Sequence, residues 1–116
     1  SRAAYKLKQL DAQYSFLRTH GVVVDLGCAA GGWSQVALER TGALSGKSQG
    51  AVVGVDRLTI EPLDQHVFIQ GDITDEATLR RVREALEDRQ AHVVLSDMAP
   101  KMTGNKHDDH AVSVEL

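Results

Sequence analysis

"VVVDLGCAAGGWSQVALER", residues 22–40, passes from a β-branched apolar run through a glycine-rich turn into a segment of helical character. The run VVVDL, 22–26, is apolar without alternation, the pattern of a strand at the centre of a parallel sheet covered on both faces. A helix over 33–41 follows. Glycines between a strand and a helix bring backbone close to a ligand, and the residue types decide which ligand. In the dinucleotide fingerprint G-x-G-x-x-G the second glycine admits a pyrophosphate, and Ala29 stands at that position. A P-loop needs a Gly-Lys-Ser/Thr to hold phosphates and magnesium, and none follows. What remains is a turn whose backbone at Gly27, Gly31 and Gly32 suits close approach by a ligand without a pyrophosphate. Taken alone, the same turn also fits a purely structural use.

The rest of the chain repeats the strand-then-helix theme. AVVGVD, 51–56, HVFIQGD, 66–72, and HVVLSD, 92–97, read as three further strands. Leu7, Leu10, Tyr14 and Leu17 recur at helical steps, predicting a helix over about 3–18 that His20-Gly21 ends. Ala77, Leu79, Val82, Ala85 and Leu86 predict an amphipathic helix over 75–89, with Thr74 or Asp75 as its cap. The stretch 41–50, TGALSGKSQG, has three glycines and no apolar period and reads as a long surface loop. MAPKMTGNKHDD, 98–109, is a second loop, after which Asp108 or Asp109 would cap another helix starting near His110. Alternating strands and helices predict an α/β fold with a parallel sheet, whose ligands bind outside the carboxyl ends of the strands.

Each of those ends carries an acid: Asp25, Asp56, Asp72 and Asp97. No packing argument calls for carboxylates there. Asp56, after the second strand, suits the paired hydroxyls of a ribose. Asp72, an acceptor when ionised, suits the exocyclic amine of an adenine. An adenosyl group without a pyrophosphate points to S-adenosylmethionine. The fourth strand lies beside the first in doubly wound sheets, so Asp97, in SDMAP, is expected to face the same crevice.

The 116 residues are 42% hydrophobic and 25% charged, the balance of a single folded domain. No apolar run approaches the roughly 20 residues of a membrane-spanning helix, and SRAAYKLKQL lacks the layout of a signal peptide. Because Ser1 stands where a Met would start a chain, residues ahead of it, a targeting peptide included, are left open. The one cysteine, Cys28, fits a reducing compartment and reads as a small core filler, with no histidine close in sequence to make it a nucleophile. The formal net charge of −3 argues against a surface basic all over. Arg2, Lys6, Lys8 and Arg18 nonetheless cluster at the amino end, a solvated helix face on composition alone. The two histidines of HDDH, 107–110, lack a second cluster to complete a metal site, so capping is the better reading and no metal is expected.

Taken together, SRAAYKL, VVDLGCAAGGWSQV, GVDRL, QGDITD and VVLSDMAPKMTG, in this order, resemble the FtsJ/RrmJ family of ribosomal RNA 2′-O-methyltransferases over nearly the whole chain. The resemblance implies the amino-terminal portion, strands one to four, of a Rossmann-like S-adenosylmethionine-dependent methyltransferase fold, with residues 1–116 forming a single, incomplete domain of that kind. It implies cofactor contacts at Gly27, Cys28, Ala29, Gly31, Gly32, Trp33, Asp56, Asp72, Ile73 and Asp97. Of the family's Lys-Asp-Lys-Glu catalytic set, it assigns the first two places to Lys6 and Asp97; the second lysine and the glutamate belong to later strands. It implies 2′-O-methylation of a ribose in RNA, large-subunit ribosomal RNA foremost, by a monomeric enzyme with RNA or a ribosomal subunit as partner. The 116-residue piece alone is expected to be inactive. The 41–50 loop and TIEPL, 59–63, are similar to the mitochondrial branch, so a mitochondrial location is expected, with cytoplasm or nucleolus as alternatives. Ala30 departs from the family's usual proline and Lys101 from its usual asparagine. Two other readings compete: an inactive adenosyl-binding module serving ribosome assembly, and a nicotinamide dehydrogenase, which Ala29 disfavours.

Overall fold

The structure, a computed structural model, describes residues 2–28, 31–96 and the backbone of 111–114. Helix α1 covers Arg2–Tyr14, strand β1 Val22–Leu26, α2 Gly32–Thr41, β2 Ala51–Asp56, β3 His66–Gln70, α3 Glu76–Ala85, β4 Val93–Ser96 and β5 Ala111–Val114. The sheet order is β3-β2-β1-β4-β5. The first four strands are parallel, with Val23 beside Val52 and Val93, and Val52 beside His66. The chain leaves β1 toward β2 and β3 on one side and returns to β4 on the other, so the switch point falls beside β1, as expected of a fourth strand beside the first.

Residues that share a register share a face in parallel strands. Val23, Val52 and Val93 therefore join Leu7, Leu17, Trp33, Val36 and Leu38 in the core under α1 and α2. Val22, Val24, Val53, Val55 and Ile69 join Val82 of α3 and Leu86 just past its end on the opposite face. Both faces of β1 and β2 are covered, which is why these strands are apolar without alternation.

Several expectations are corrected. Helix α1 ends at Tyr14, not at His20-Gly21, because Ser15 turns left-handed at φ 54 and the Asp11 carboxylate accepts the Leu17 N–H at 2.8 Å. Leu17 thus reaches the core from a loop, and Tyr14, expected on the buried stripe, is exposed. At the helix's expected stop it is His20, not Gly21, that is left-handed, at φ 66. Helix α3 ends at Ala85 where Glu87 and Asp88 take positive φ, short of Arg89. The 41–50 loop carries a 3₁₀ turn, Ala43–Ser45, with Ala43 buried. Finally, no helix starts near His110: Ala111–Val114 is a strand antiparallel to β4, so the sheet extends beyond strand four. Alternating β-branched residues beside an open sheet edge favour pairing over a helical turn. No helix among the described residues is long and apolar enough to cross a membrane.

Candidate cofactor crevice at the glycine turn

The turn after β1 is built by backbone. Gly27 and Gly31 both sit at φ 74, a left-handed conformation open to glycine at little cost. The Gly27 and Cys28 N–H groups both donate to the Val55 carbonyl, at 2.7 and 3.2 Å, binding the turn to β2, and Gly31 donates to Cys28 at 2.8 Å. Helix α2 begins at Gly32 with no side-chain cap bond at Gly31 and no acid in its first turn. Its positive dipole end therefore opens onto the turn.

Beneath the turn lies a buried polar relay. Asp25 is 1% exposed and Ser34 fully buried. Ser34 Oγ donates to Asp25 Oδ2 at 2.8 Å and lies 3.0 Å from His66 Nε2. With the hydroxyl proton committed to Asp25, Nε2 carries the proton that Ser34 accepts. Gly54 makes room for this arrangement, since a Cβ there would stand 2.7 Å from the His66 ring and 2.8 Å from Cys28 Sγ. Burial pushes the His66 pKa down, keeping the ring neutral at pH 7. The Cys28 thiol is pushed up to about 12, by burial first and then by the Asp25 and Asp56 carboxylates. Cys28 is thus a thiol packed in the core, as the sequence suggested.

Asp56 ends β2 almost buried, its Oδ1 accepting the Leu58 N–H at 2.9 Å. Asp72 lies two residues past the end of β3. Its Oδ1 accepts from the Thr74 N–H at 2.9 Å and hydroxyl at 2.7 Å. Arg57 Nη1 stands 3.8 Å from Oδ2. These Thr74 bonds, with Arg57 in support, hold its carboxyl below the usual carboxylate range. Thr74 therefore bonds back to Asp72, and Asp75 occupies the α3 cap position without a side-chain cap bond. Ile73 packs against the α3-side core.

Trp33 is 4% exposed, and its indole Nε1 donates to the Ala3 carbonyl of α1 at 2.7 Å. Lys6 is half-buried on that same helix, while Arg2, Lys8, Arg18 and Tyr5 are exposed. The turn, Asp56, Asp72 and Ile73 are brought to one end of the sheet. Ala29, Ala30, Asp97, Lys101 and HDDH, 107–110, lie outside the described residues. Among the described residues no group of His, Cys, Asp and Glu is arranged to hold a metal ion. Ser34, His66, Arg57 and the Ala3 carbonyl are participants that sequence reasoning missed. A backbone carbonyl leaves no mark in sequence, and His66 lies 32 residues from the serine it meets.

The FtsJ-like methyltransferase model matches residues 1–116. The chain belongs to the FtsJ-like methyltransferase family. It is 50% identical over 118 residues to the ribosomal RNA large subunit methyltransferase E of Halorubrum lacusprofundi, covering 100% of this chain and 42% of that protein. Its identity to the Methanothrix thermoacetophila protein of the same name is 50% over 116 residues, again with 42% of the relative covered. A crystal structure of a ribosomal RNA methyltransferase from Plasmodium falciparum superposes with a TM-score of 0.74 at 37% identity, over 94% of this chain and 61% of that one. The chain thus spans about two-fifths of the length of these curated relatives.

Proposed function

We propose that the protein containing this chain is an S-adenosylmethionine-dependent methyltransferase that modifies a ribose 2′-hydroxyl in RNA, large-subunit ribosomal RNA foremost. The observation that carries the cofactor reading is the pair Asp56 and Asp72 beyond neighbouring strands, each carboxylate held by a local backbone N–H, beside a turn with two left-handed glycines. This donor and acceptor set suits an adenosyl group: Asp56 accepts from the ribose diol, Asp72 from the adenine amine, and the turn backbone lies along the remainder. The names of the relatives support ribosomal RNA as the target, and the exposed Arg2, Lys8, Arg18 and Tyr5 support a nucleic-acid partner.

S-adenosylmethionine supplies a methyl group made electrophilic by its positively charged sulfur. The chain's own task is to align the target hydroxyl with that group and lower the cost of its proton loss, which is positioning and electrostatics. In this reading Lys6 polarises the 2′-oxygen and Asp97 orients it. The second lysine and the glutamate of the family set complete the proton transfer from later strands. The similarity of the 41–50 loop and TIEPL to the mitochondrial branch supports a mitochondrial location, to be decided against cytoplasm and nucleolus by imaging the full-length protein. Monomeric action is proposed likewise and is read by light scattering.

Calorimetric titration of the full-length protein tests the cofactor reading. S-adenosylmethionine is expected to bind more tightly than NAD, and Asp56→Ala to lower its affinity at least tenfold. Tighter NAD binding, or an unaffected Asp56→Ala protein, would end it. Tritium transfer from labelled cofactor into ribosomal RNA tests the reaction itself.

A further inference from the structure

Two polar contacts tie helix α1 to helix α2. At one, Trp33 Nε1 donates to the Ala3 carbonyl at 2.7 Å. At the other, Arg40 Nη1 donates to Asp11 Oδ2 at 3.1 Å. Ala3 to Asp11 spans about 12 Å of helix and Trp33 to Arg40 about 10.5 Å, at about 1.5 Å per residue. Nearly equal spacings met in the same order require the two helices to run parallel, amino ends together. The amino end of α2 is the glycine turn. The first turns of α1 are therefore held alongside that turn, and Lys6 stands only about 4.5 Å along the axis from Ala3.

The Trp33 contact is built rather than incidental. Its ring lies in the core with Leu7, Phe16, Leu17 and Leu95, while Ala3 and Ala4 pack against that cluster. A buried indole N–H needs an acceptor, and the second lone pair of a helix carbonyl supplies one without breaking the helix. A phenyl ring would fill most of the same space and leave the carbonyl without this donor.

We propose that Trp33 is a positioning residue for methyl transfer: its indole N–H anchors the first turns of α1, and with them Lys6, against the glycine turn. The role rests on the reading of Lys6 given above. It differs from a cofactor contact because the indole donor is turned to α1. Displacement of a reacting group by about 1 Å costs on the order of a hundredfold in rate, so one hydrogen bond at this place carries weight.

The test compares Trp33→Phe with Arg40→Gln in the full-length protein. Both loosen the α1–α2 contact, but only the first does so beside Lys6. Trp33→Phe is expected to lower kcat at saturating RNA on the order of ten- to a hundredfold, with cofactor affinity unchanged within about twofold. Arg40→Gln is expected to lower the melting temperature at least as far while kcat stays within about twofold. Hydrogen exchange at the amides of residues 6–8 should quicken in Trp33→Phe and stay slow in Arg40→Gln. Equal kcat losses in both variants would make the contact merely structural and overturn the proposal. A loss of cofactor affinity matching the loss of kcat would make Trp33 a cofactor residue and overturn it too. An active Trp33→Phe protein with unchanged exchange overturns the anchor alone, whereas a wild-type protein that methylates no RNA overturns the proposed function and takes the anchor's catalytic role with it.

Discussion

Ser34 Oγ stands 2.8 Å from Asp25 Oδ2 and 3.0 Å from His66 Nε2, so one hydroxyl joins the first turn of α2 to β1 and β3 beneath the glycine turn. Asp25 and Ser34 are buried. Replacing Ser34 by alanine removes a donor to the carboxylate and the acceptor of the imidazole at once. A hydrogen bond to a charged group contributes about 1.5–3 kcal/mol and one between neutral groups about 0.5–1.5 kcal/mol. Ser34→Ala is therefore expected to lose roughly 2–4 kcal/mol in urea unfolding, given the same principle, with an unchanged denaturant slope. A loss below about 0.5 kcal/mol, that of an ordinary surface change, would mean the relay contributes nothing.

The same relay predicts a pH dependence. Burial depresses the His66 pKa below its ordinary 6.5, so the unfolded chain binds the proton first and protonation favours unfolding. Stability from a neutral His66 is fully present above pH 6.5 and declines as pH falls from there through the depressed folded value. His66→Gln keeps a donor for Ser34 and removes the titration. Melting profiles should fall less steeply below pH 6.5 in that variant, and identical profiles would count against the argument.

At Gly54 the missing side chain is the point. An alanine Cβ would press on the His66 ring and on Cys28 Sγ, and overpacking of this kind costs about 1–3 kcal/mol. Combining Gly54→Ala with His66→Ala should recover part of that loss, giving a coupling above about 0.5 kcal/mol. Strict additivity would place the strain elsewhere.

Cys28 should be silent toward thiol reagents in the folded protein. With burial and two nearby carboxylates holding its pKa at about 12, the thiolate fraction at pH 8 is about 10⁻⁴. Labelling with iodoacetamide should proceed only after unfolding in guanidinium. Rapid modification of native protein would refute the buried placement.

If the proposed function holds, Lys6→Ala in the full-length protein should lower methyl transfer about 10²- to 10³-fold, the usual effect of removing a preorganised polar group at a reacting centre. Cofactor affinity should hold, because Lys6 approaches on α1 and not from the strand ends. Asp97→Ala should damage both. Saturating RNA separates docking from chemistry: if it restored full turnover to Lys6→Ala, Lys6 would be a docking residue.

From sequence alone came the elements whose causes are local. β1 and β2 lie where their apolar runs do, because a strand covered on both faces is apolar without alternation. The glycine turn and Asp56 were legible for a related reason, since glycine takes left-handed backbone at little cost and a carboxylate at a strand end has no packing excuse. Tertiary structure decided what depends on distant partners. Helix α1 stops at Tyr14 because the Asp11 carboxylate accepts from Leu17, a bond no periodicity reports. Residues 111–114 pair with β4 as a strand because an open sheet edge offers them hydrogen bonds that a short helix must find within itself. His66 joins Ser34 only because β3 registers beside β2 with Gly54 leaving room between. And Trp33, to which the family resemblance gives a cofactor contact, donates its indole N–H to the Ala3 carbonyl, since a buried N–H donates wherever the packed fold puts an acceptor.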